Sequence, residues 1–493
     1  MTRRIVFSLA AALAIGACSD EQNTAPSDPS SEPAAAVANV SSPSYVFGFS
    51  AAEAGDVKAA IARAGGKALY VSKRAGLGTA ESADPAFADK LAKAPGIRAV
   101  AMDTVVQWAP PERVVEAGHG SDESFFFAQW WTTSVQADKA WDDNGAAGTG
   151  VRVAVLDGGL NNNHVDLDNA RTIDEAESRS FAGGAYNTDA PCGAAFCFSH
   201  ATHVSGIIAA EDDGFGSIGI ANGATIIGVK VLHGGSGSFG AIMAGIIYAA
   251  SPANTPEKDG GGAGAQIINM SLGAQFPSRQ DVKVRALKEF LDRATTYAYN
   301  QGVLVVASAG NGDKQGRGID HDLGQWFTLP AQASHVVGVS ALGPVGFALG
   351  ATNFDRLASY SNFGASIVDF SGPGGDFVLP GTAECTLPLA PLGSGPFTRQ
   401  CWVFDMIRSP SSLGATPSSL GANEGYSFAA GTSMAAPAVA AVAALAINKN
   451  GPYSSNGAGV ELLIDHLEAT ADHPAGGARV HGMGRVNAFK ATQ

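Results

Sequence analysis

The alternation of apolar and polar residues divides the chain into stretches of different character. An apolar run from Ile5 to Ala14 is followed by residues 19–44, which contain almost no large apolar side chain. Residues 45–108 carry short patterns of both strand and helix spacing, and in residues 125–493 continuous apolar strands alternate with helices. Strands that are apolar on both faces and separated by helices are typical of a parallel sheet covered by helices. We therefore predict an α/β fold with a mainly parallel central sheet, preceded by a small α+β unit.

The small unit at residues 45–108 has the pattern of a sheet with two helices. Its apolar residues predict the order strand, helix, strand, helix, strand, at Tyr45–Phe49, Ala51–Ala64, Ala68–Val71, Pro85–Lys93 and within Ile97–Val106. Residues 109–124 are rich in proline and glycine and predict a loop. This loop separates the two units.

The first 18 residues have the features of a secretory signal peptide. Arg3 and Arg4 precede the apolar run, which is too short for a membrane helix. The run ends in Ile15-Gly16-Ala17-Cys18, which resembles a bacterial lipobox and implies a lipid on Cys18. An ordinary signal peptide with an unrelated cysteine is the alternative. We expect residues 19–44 to be a disordered tether, because they lack the apolar side chains that offset the entropy of folding.

One predicted helix is apolar on all sides. The stretch Gly431–Pro437 reads Gly-Thr-Ser-Met-Ala-Ala-Pro, and small apolar residues continue to Ile447. A helix without a polar face must be buried, and the part from Ala435 to Ile447 is too short to cross a bilayer. Ser433 lies at its N-terminus, where the helix dipole favours a developing anion. Taken alone, this serine is better explained as the N-cap of a core helix.

Polar residues gather where the predicted strands of the large domain end. Asp157, Ser271 and Asn311 each follow a continuous apolar strand, and open α/β sheets place their sites at such ends. His203 stands at the beginning of a helical run, Val204–Ala210. Each of these residues also has an ordinary explanation, as a turn acceptor, a core histidine or a polar turn residue.

Asp157, His203 and Ser433 follow one another in a known order of the serine-protease triad. With the stretch Gly431–Pro437 they make residues 125–493 resemble the subtilisin-like serine proteases (subtilases, peptidase family S8). The same resemblance extends to Gln129-Trp130, Ala137–Trp141, Gly219–Ala221, Val229–Leu232, Ala358–Gly364 and Gly482–Ala488. It implies a three-layer subtilisin-like fold. By the order and position of its elements, the unit at residues 45–108 resembles the inhibitory (I9-like) prosegment of these enzymes, which implies a cleavage site in the loop at residues 109–124. An unrelated small α+β domain is the alternative.

The resemblance implies a role for each matching residue. Ser433 is expected to be the nucleophile, His203 the base that takes its proton, and Asp157 the group that orients the imidazole. The backbone N–H of Ser433 and the side-chain amide of Asn311 are expected to form the oxyanion hole, although Asn311 is alternatively a turn residue. Peptide substrates are expected to bind as an added strand, contacting Gly235, Ser236, Gly237, Ser271, Leu272, Gly273, Ala309 and Gly310. Leu272, Gly273, Ala309 and Gly310 are small or apolar. They predict that the substrate residue immediately before the cleaved bond has an apolar or aromatic side chain.

Two positions depart from the family pattern. Asp157 is followed by Gly158 and Gly159, where Thr or Ser before Gly is common, so one supporting hydroxyl is absent. Ala201 stands where Gly is usual. Neither departure removes a catalytic group, and we expect them to lower the rate rather than abolish activity.

Charge and cysteine content bear on partners. The 493 residues include 31 Lys+Arg and 45 Asp+Glu, a net charge of −14, without an interleaved basic and aromatic groove, so nucleic acid is not an expected partner. Four of the 5 cysteines lie in two loop insertions. In an exported protein they predict two local disulfides, Cys192–Cys197 and Cys385–Cys401, with pairing across the loops as the alternative.

No cofactor is predicted to take part in the chemistry. The chain has no His-Glu-x-x-His motif, which disfavours a zinc protease, and we predict no metal ligands. Structural calcium is compatible with the resemblance. However, the acidic stretches Asn161–Asp168 and Glu211–Gly214 lack EF-hand spacing, and we expect them to be solvated turns.

Together these features predict a secreted or surface serine endopeptidase that is made as a self-processed zymogen and acts on proteins or peptides as a monomer. Its prosegment is expected to be its intramolecular inhibitor. The predicted location is an outer-membrane or cell-surface lipoprotein precursor of a bacterial cell. Because the lipid on Cys18 stays with the prosegment after cleavage, the mature enzyme is expected to be released or to be held only through its contacts with the prosegment. The alternative is a catalytically inactive lipoprotein of the same fold that acts as a binding module.

Overall fold

The structure is a computed structural model of the chain. It describes residues 42–107, 112–116, 126–167, 172–189, 198–214, 216–277, 282–387, 397–411 and 425–493. The predicted signal peptide with Cys18 and most of the predicted tether lie outside the described residues, as do Cys192 and Cys197.

The N-terminal unit is a four-stranded antiparallel sheet with two helices. Its elements are β1 Ser44–Phe49, α1 Val57–Arg63, β2 Lys67–Ser72, β3 Leu77–Glu81, α2 Phe87–Ala92 and β4 Ile97–Met102. The strand order across the sheet is β2-β3-β1-β4. The predicted order of elements is wrong by one strand, β3. Its five residues, Leu-Gly-Thr-Ala-Glu, are mostly small and show little alternation of polarity, so the apolar pattern did not indicate a strand there.

The two faces of this small sheet are covered by different partners. Tyr45, Phe47 and Phe49 of β1 pack with the helices α1 and α2 in a core of their own. Val46, between them in sequence, belongs with Tyr70 to the core of the large domain. Successive side chains of a strand point to opposite faces. This alternation therefore attaches the N-terminal unit to the large domain through apolar contacts.

Two short strands follow the unit, β5 Val105–Gln107 and β6 Glu112–Glu116. β5 pairs antiparallel with residues 236–238, and β6 pairs antiparallel with residues 426–430. The prediction of a loop over residues 109–124 is therefore wrong for β6. Local composition favoured a loop, but backbone pairing with a strand more than 300 residues away forms β6, and pairing of this kind has no local signature.

The large domain has the following elements in chain order. They are α3 Trp130–Ser134, α4 Ala137–Asn144, β7 Arg152–Asp157, β8 Arg179–Ser180, α5 His200–Ala209, β9 Thr225–Lys230, β10 Ser236–Ser238, α6 Phe239–Ala250, β11 Ile267–Met270, β12 Ala274–Phe276, α7 Val282–Asn300, β13 Leu304–Ser308, β14 Phe327–Leu329, β15 Val336–Leu342, β16 Phe370–Pro373, β17 Glu384–Leu387, β18 Phe397–Gln400, β19 Ile407–Pro410, β20 Tyr426–Ala430, α8 Thr432–Asn450, α9 Gly457–Thr470, α10 Ala478–His481 and α11 Ala488–Ala491.

A seven-stranded sheet in the order β16-β15-β13-β11-β7-β9-β8 forms the middle layer, and each pair of neighbouring strands is parallel. Val153 and Val155 of β7 face a core that includes α5 and α8. Ala154 and Leu156 face the opposite core, which includes α6 and α7. The predicted three-layer α/β fold with a parallel central sheet is confirmed.

The helix predicted to be buried on all sides is α8. Every residue from Met434 to Ala446 is buried, and the helix packs against β11, β13, β15 and β16. Its length and composition alone would allow it to cross a membrane, but 83% of its apolar stretch is buried inside the protein. The prediction of a core helix is confirmed.

The Cys385–Cys401 disulfide is present, with a Cα–Cα distance of 4.8 Å. It joins β17 to the residue that follows β18, and these two strands form a hairpin. The local pairing predicted for this insertion is therefore confirmed.

Candidate active site

Asp157 ends β7, an inner strand of the sheet, and its side chain is buried. Its Oδ2 lies 2.7 Å from Nδ1 of His200, and its Oδ1 accepts a hydrogen bond of 2.6 Å from the N–H of Gly158. An ionised carboxylate only accepts, so Nδ1 of His200 carries the hydrogen and Nε2 is the basic nitrogen. The His200 side chain is 21% exposed. Asp157 therefore fixes the orientation of the His200 imidazole, and the exposed part of the ring is accessible to a substrate.

His203, the predicted base, does not occupy this position, and the expectation is corrected to His200. The His203 ring is fully buried, and its Nε2 donates to the carbonyls of Ile407 (3.2 Å) and Ser427 (3.1 Å). Burial, together with the nearby His200, lowers the pKa of His203 to about 3. His203 is thus a neutral core histidine that joins β19 to β20.

The error follows from where α5 begins. The apolar pattern predicts a helix that starts after His203, whereas α5 starts at His200 and is capped by Ser199, whose Oγ accepts from the N–H of Thr202 (3.3 Å). A serine immediately before a helical run is a recognisable N-cap signal. Applied to Ser199, that signal places His200 in the first turn of the helix and His203 one turn further into the protein.

Ser433 is the second residue of α8, and the N-cap is Gly431. Ser433 is therefore not the cap of this helix, and its N–H is among the first four that have no acceptor within the helix. Its Oγ donates to the carbonyl of Ser271 (3.1 Å), while Oγ of Ser271 donates to the carbonyl of Ser433 (2.7 Å). These reciprocal bonds hold the predicted nucleophile at the end of β11, the strand next to β7.

Asn311 is bound to the residue that precedes Ser433. Its Oδ1 accepts from the N–H (2.9 Å) and the Oγ1 (2.8 Å) of Thr432. A backbone N–H only donates, so the amide oxygen must face α8 and the Nδ2 group must face the other way. The side-chain amide of Asn311 and the N–H of Ser433 are thus two donors at the same end of α8.

The loop that carries Asn311 is fixed by Asn362, for which the sequence analysis proposed no role. Nδ2 of Asn362 donates to the carbonyl of Ala309 (2.8 Å), and its Oδ1 accepts from the N–H of Gly312 (3.1 Å). Gly310 has a φ of +101°, and a Cβ there would lie 2.6 Å from Nδ2 of Asn362. The glycine is therefore required both by the backbone conformation and by the close approach.

One predicted substrate-binding segment is already paired with a strand of the same chain. Within β10, Ser236 is opposite Gln107 and Gly237 is opposite Val106 of β5, in antiparallel register. Gly235, just before β10, has a φ of +72°, which a glycine adopts without strain. This edge is therefore suited to main-chain pairing with an extended peptide.

The second predicted segment, Ser271–Gly273, follows β11 directly. Leu272 is only 3% exposed, and the bonds between Ser271 and Ser433 place the segment beside the nucleophile. Ala309 is fully buried. The structure thus places the segment predicted to line the substrate pocket close to Ser433. The expected preference for an apolar or aromatic substrate side chain stays a prediction.

One of the acidic stretches differs from the solvated turn that was expected. Asp166 is fully buried and accepts from the N–H and the Oγ of Ser217, both at 2.9 Å, and burial raises its pKa well above the usual range. His164 is also buried, which lowers its pKa to about 4. Among the described residues, no group of three or more His, Cys, Asp or Glu side chains is placed to hold a metal ion.

Comparison with known proteins gives a consistent result. Residues 148–484 match the subtilase family, peptidase S8. Subtilisin Savinase from Lederbergia lenta is 32% identical over 366 residues, which are 74% of this chain and 98% of that protein. Thermitase from Thermoactinomyces vulgaris is 28% identical over 375 residues, which are 76% of this chain and 99% of that protein.

Solved structures agree at the level of the fold. The epidermin leader peptide processing serine protease EpiP from Staphylococcus aureus superposes with a TM-score of 0.64 at 20% identity, covering 92% of this chain and 98% of its own. Fervidolysin from Fervidobacterium pennivorans, a keratinolytic enzyme related to subtilisin, gives a TM-score of 0.59 at 22% identity over 92% of this chain and 61% of its own.

Proposed function

The chain belongs to the subtilase family of serine-type endopeptidases, and from this premise we propose that it hydrolyses peptide bonds through Asp157, His200 and Ser433 and is made as a self-processed zymogen. The observation that carries the proposal is the 2.7 Å contact between Asp157 Oδ2 and His200 Nδ1. It supplies an oriented imidazole in the domain whose central helix carries Ser433 in its first turn.

The proposed chemistry follows from the orientation of these groups. A serine hydroxyl is a weak nucleophile and needs a base to remove its proton. Nε2 of His200 takes that proton as Oγ attacks the peptide carbonyl, and returns it to the leaving amine as the C–N bond breaks and an acyl-enzyme forms. A water molecule, deprotonated by the same nitrogen, then attacks the acyl-enzyme, and the proton returns to Oγ as the acid product leaves. Asp157 holds the Nδ1–H tautomer and stabilises the imidazolium. Ser433 Oγ, which now donates to Ser271, must rotate toward His200, and such contacts commonly tighten only when substrate binds.

The tetrahedral intermediate carries a negative charge on the former carbonyl oxygen. We assign its stabilisation to the N–H of Ser433 and the Nδ2 group of Asn311. The bonds from Thr432 to the Asn311 oxygen support this assignment, since they fix the amide before the reaction starts. Donors that are already oriented stabilise the developing charge without reorganisation.

The zymogen proposal is supported by the way the N-terminal segment occupies the substrate edge. β5 pairs with β10 as a peptide substrate is expected to pair. β6 pairs with β20, which leads through Gly431 into the helix of Ser433. The chain thus lies on both sides of the proposed nucleophile, and we place the processing cut between β5 and β6, in the stretch from Gln107 to Glu112.

Packing beneath the N-terminal sheet supports its role as the intramolecular inhibitor. Val46, Tyr70 and Leu77 share a core with α6 and α7. Arg293 of α7 donates to the carbonyl of Gly76 (3.2 Å), and the N–H of Gly240 in α6 donates to Oδ1 of Asp103 (3.0 Å). These contacts hold β5 in register on β10. Export and lipidation at Cys18 are also part of the proposal. They are supported only by the signal-peptide and lipobox-like sequence of residues 1–18.

The test is the intact mass of the chain expressed without its signal peptide, beside Ser433→Ala. We expect the native chain to lose roughly its first hundred residues, with the new N-terminus between residues 108 and 112, and the variant to stay whole. A serine-directed fluorophosphonate is expected to label only the native protein.

Two results would contradict the proposal in different ways. If both chains stay whole and neither is labelled, the catalytically inactive binding module becomes the better account of this protein. If Ser433→Ala is cut like the native chain in a purified preparation, another protease performs the processing and the zymogen is not self-activated.

A further inference from the structure

The loop that follows Asp157 is packed against a carboxylate that the sequence analysis did not single out. A Cβ on Gly158 would lie 2.6 Å from Oδ2 of Asp189, and a Cβ on Gly159 would lie 2.5 Å from the carbonyl oxygen of Thr188. Real Cβ atoms do not approach other atoms so closely. Gly158 is the departure noted in the family pattern, and Thr188 and Asp189 occupy the space that side chains at positions 158 and 159 would need.

Asp189 is hydrogen bonded to two functional parts of the proposed site. Its Oδ2 accepts from the N–H of Gly159 (3.2 Å), in the loop after the catalytic carboxylate. Its Oδ1 accepts from the N–H of Gly234 (2.8 Å), in the turn that leads into β10. One carboxylate thus ties the loop of Asp157 to the strand on which a peptide substrate is expected to bind.

The same loop also leads to His200. The carbonyl of Gly159 accepts from Oγ of Ser199 (2.9 Å), the residue that caps α5 immediately before His200. Gly159 is therefore held by Asp189 through its N–H and by Ser199 through its carbonyl. A displacement of Gly159 would move both members of the Asp157–His200 pair.

The surroundings of Asp189 are built to hold it in place. His233 Nδ1 lies 3.6 Å from its Oδ1 and 3.0 Å from Nζ of Lys230, which is itself buried. Lys230 donates to the carbonyls of Gly183 and Thr188, the latter next to Asp189. A buried ammonium that is bonded to these carbonyls fixes the backbone at Asp189.

We infer that Asp189 is a positioning residue for the proposed reaction: it replaces the side chain that position 158 lacks and sets the spacing between the Asp157–His200 pair and β10. The inference rests on the proposed function. It concerns geometry, since Asp189 acts through Gly159 and Gly234 and not on the reacting atoms.

The test is a pair of reciprocal variants, Asp189→Ala and Gly158→Ser, and their combination. Asp189→Ala removes both acceptors, and Gly158→Ser places a Cβ against Oδ2 of Asp189. We expect each single variant to lower the rate of fluorophosphonate labelling and the kcat for a peptide substrate by about 10-fold to 100-fold, since small misplacements of catalytic groups have effects of this size. In the double variant, the serine side chain occupies the space left by Asp189, and we expect at least about a 3-fold recovery, which is half of a 10-fold loss on a logarithmic scale.

The control is Asp465→Ala, which removes a carboxylate from the exposed face of α9 and is expected to keep the native rate. Rates are measured per labelled active site in the full-length protein, and the urea midpoint of unfolding is measured for each variant. Recovery in the double variant is the result that a purely structural role would not give, because two independent destabilising changes add.

The outcomes separate this inference from the proposed function. If the native protein is neither cut nor labelled, the proposed function itself fails. If the native protein is active and Asp189→Ala stays within 2-fold of it, only the role of Asp189 is overturned. A loss in both single variants that becomes larger in the double variant would also overturn that role.

Discussion

Two histidines three residues apart in α5 have opposite environments. His200 is partly exposed and bonded to Asp157, whereas His203 is buried and donates to two backbone carbonyls. We expect His200→Ala to lower kcat by roughly 10⁴-fold or more, because the hydroxyl of Ser433 loses its base. Its urea midpoint is expected to change little.

His203→Gln serves as the matched variant, because its amide can donate to the same carbonyls. It is expected to keep kcat within a few fold of the native value. Peptide hydrolysis and urea unfolding of the two variants check both statements. A larger loss of kcat in His203→Gln than in His200→Ala would return the role of base to His203.

The burial of His203 also predicts how the free energy of unfolding changes at acid pH. Burial lowers its pKa to about 3 in the folded protein, whereas an unfolded histidine titrates near 6.5. The unfolded chain therefore binds the extra proton between these values, and the free energy of unfolding contributed by this group falls as the pH falls from about 6.5 toward 3, by up to about 1.4 kcal/mol per pH unit. At higher pH its contribution is fully present.

Urea midpoints at pH 7.5 and 4.5, measured in the Ser433→Ala background to prevent self-digestion, test this dependence. The fall between the two pH values is expected to be smaller when His203→Gln is added, because glutamine does not titrate. An equal fall with and without His203→Gln would show that other groups dominate the acid response.

Among the helices and strands, the contact between the start of α6 and the segment before β5 is the clearest place to test what holds β5 on β10. Asp103 accepts from the N–H groups of Gly240 (3.0 Å) and Thr104 (2.8 Å), and a Cβ on Gly240 would lie 2.4 Å from its Oδ2. Gly240→Ala is therefore expected to push Asp103 away and loosen β5 from β10. The loss of about one hydrogen bond corresponds to roughly 3-fold to 10-fold faster exchange.

The measurement is amide hydrogen exchange of residues 105–107 in the uncut Ser433→Ala chain. Gly55→Ala is the control, because nothing lies within 4 Å of a Cβ at that position of the same N-terminal unit. Unchanged exchange in Gly240→Ala would mean that the apolar contacts of the sheet, and not Asp103, hold β5 in place.

For the molecule as a whole, a cluster of polar and charged side chains around Asp472 holds the C-terminal segment in place. Asp472 accepts from Arg485 (2.6 Å), Asn487 (2.8 Å) and Lys490 (2.6 Å). Although burial alone would raise the pKa of Asp472, these hydrogen bonds together lower it to about 2. The contribution of this carboxylate to stability is therefore present above the usual aspartate value near 3.9 and is lost as the pH falls through about 2.

Asp472→Asn is expected to lower the free energy of unfolding at pH 7 by about 1–2 kcal/mol, less than three charged hydrogen bonds would give, because the cluster is partly solvated. The difference from the native protein should shrink between pH 4 and pH 2. Asp465→Asn, on the exposed face of α9, is the control. A difference that is the same at pH 7 and pH 2 would show that the charge of Asp472 contributes nothing.

Features that depend on local patterns of residue type can be predicted from the amino-acid sequence. The continuous apolar strands, the alternation with helices and the all-apolar α8 indicate the three-layer fold, because burial on both faces leaves a direct signature in residue type. Asp157, Ser433 and Asn311 could be proposed as site residues because each lies near the end of a strand or the start of a helix that such patterns locate.

Features that depend on direction or on distant partners are set by the folded chain. His200 and His203 lie one helical turn apart at the start of α5: His200, in the first turn, lies beside Asp157, and His203 reaches the core between β19 and β20. β6 forms on a strand hundreds of residues away, and Asp189 reaches Gly158 from a separate loop. Residue spacing carries no information on such contacts, because they arise only when the chain is folded.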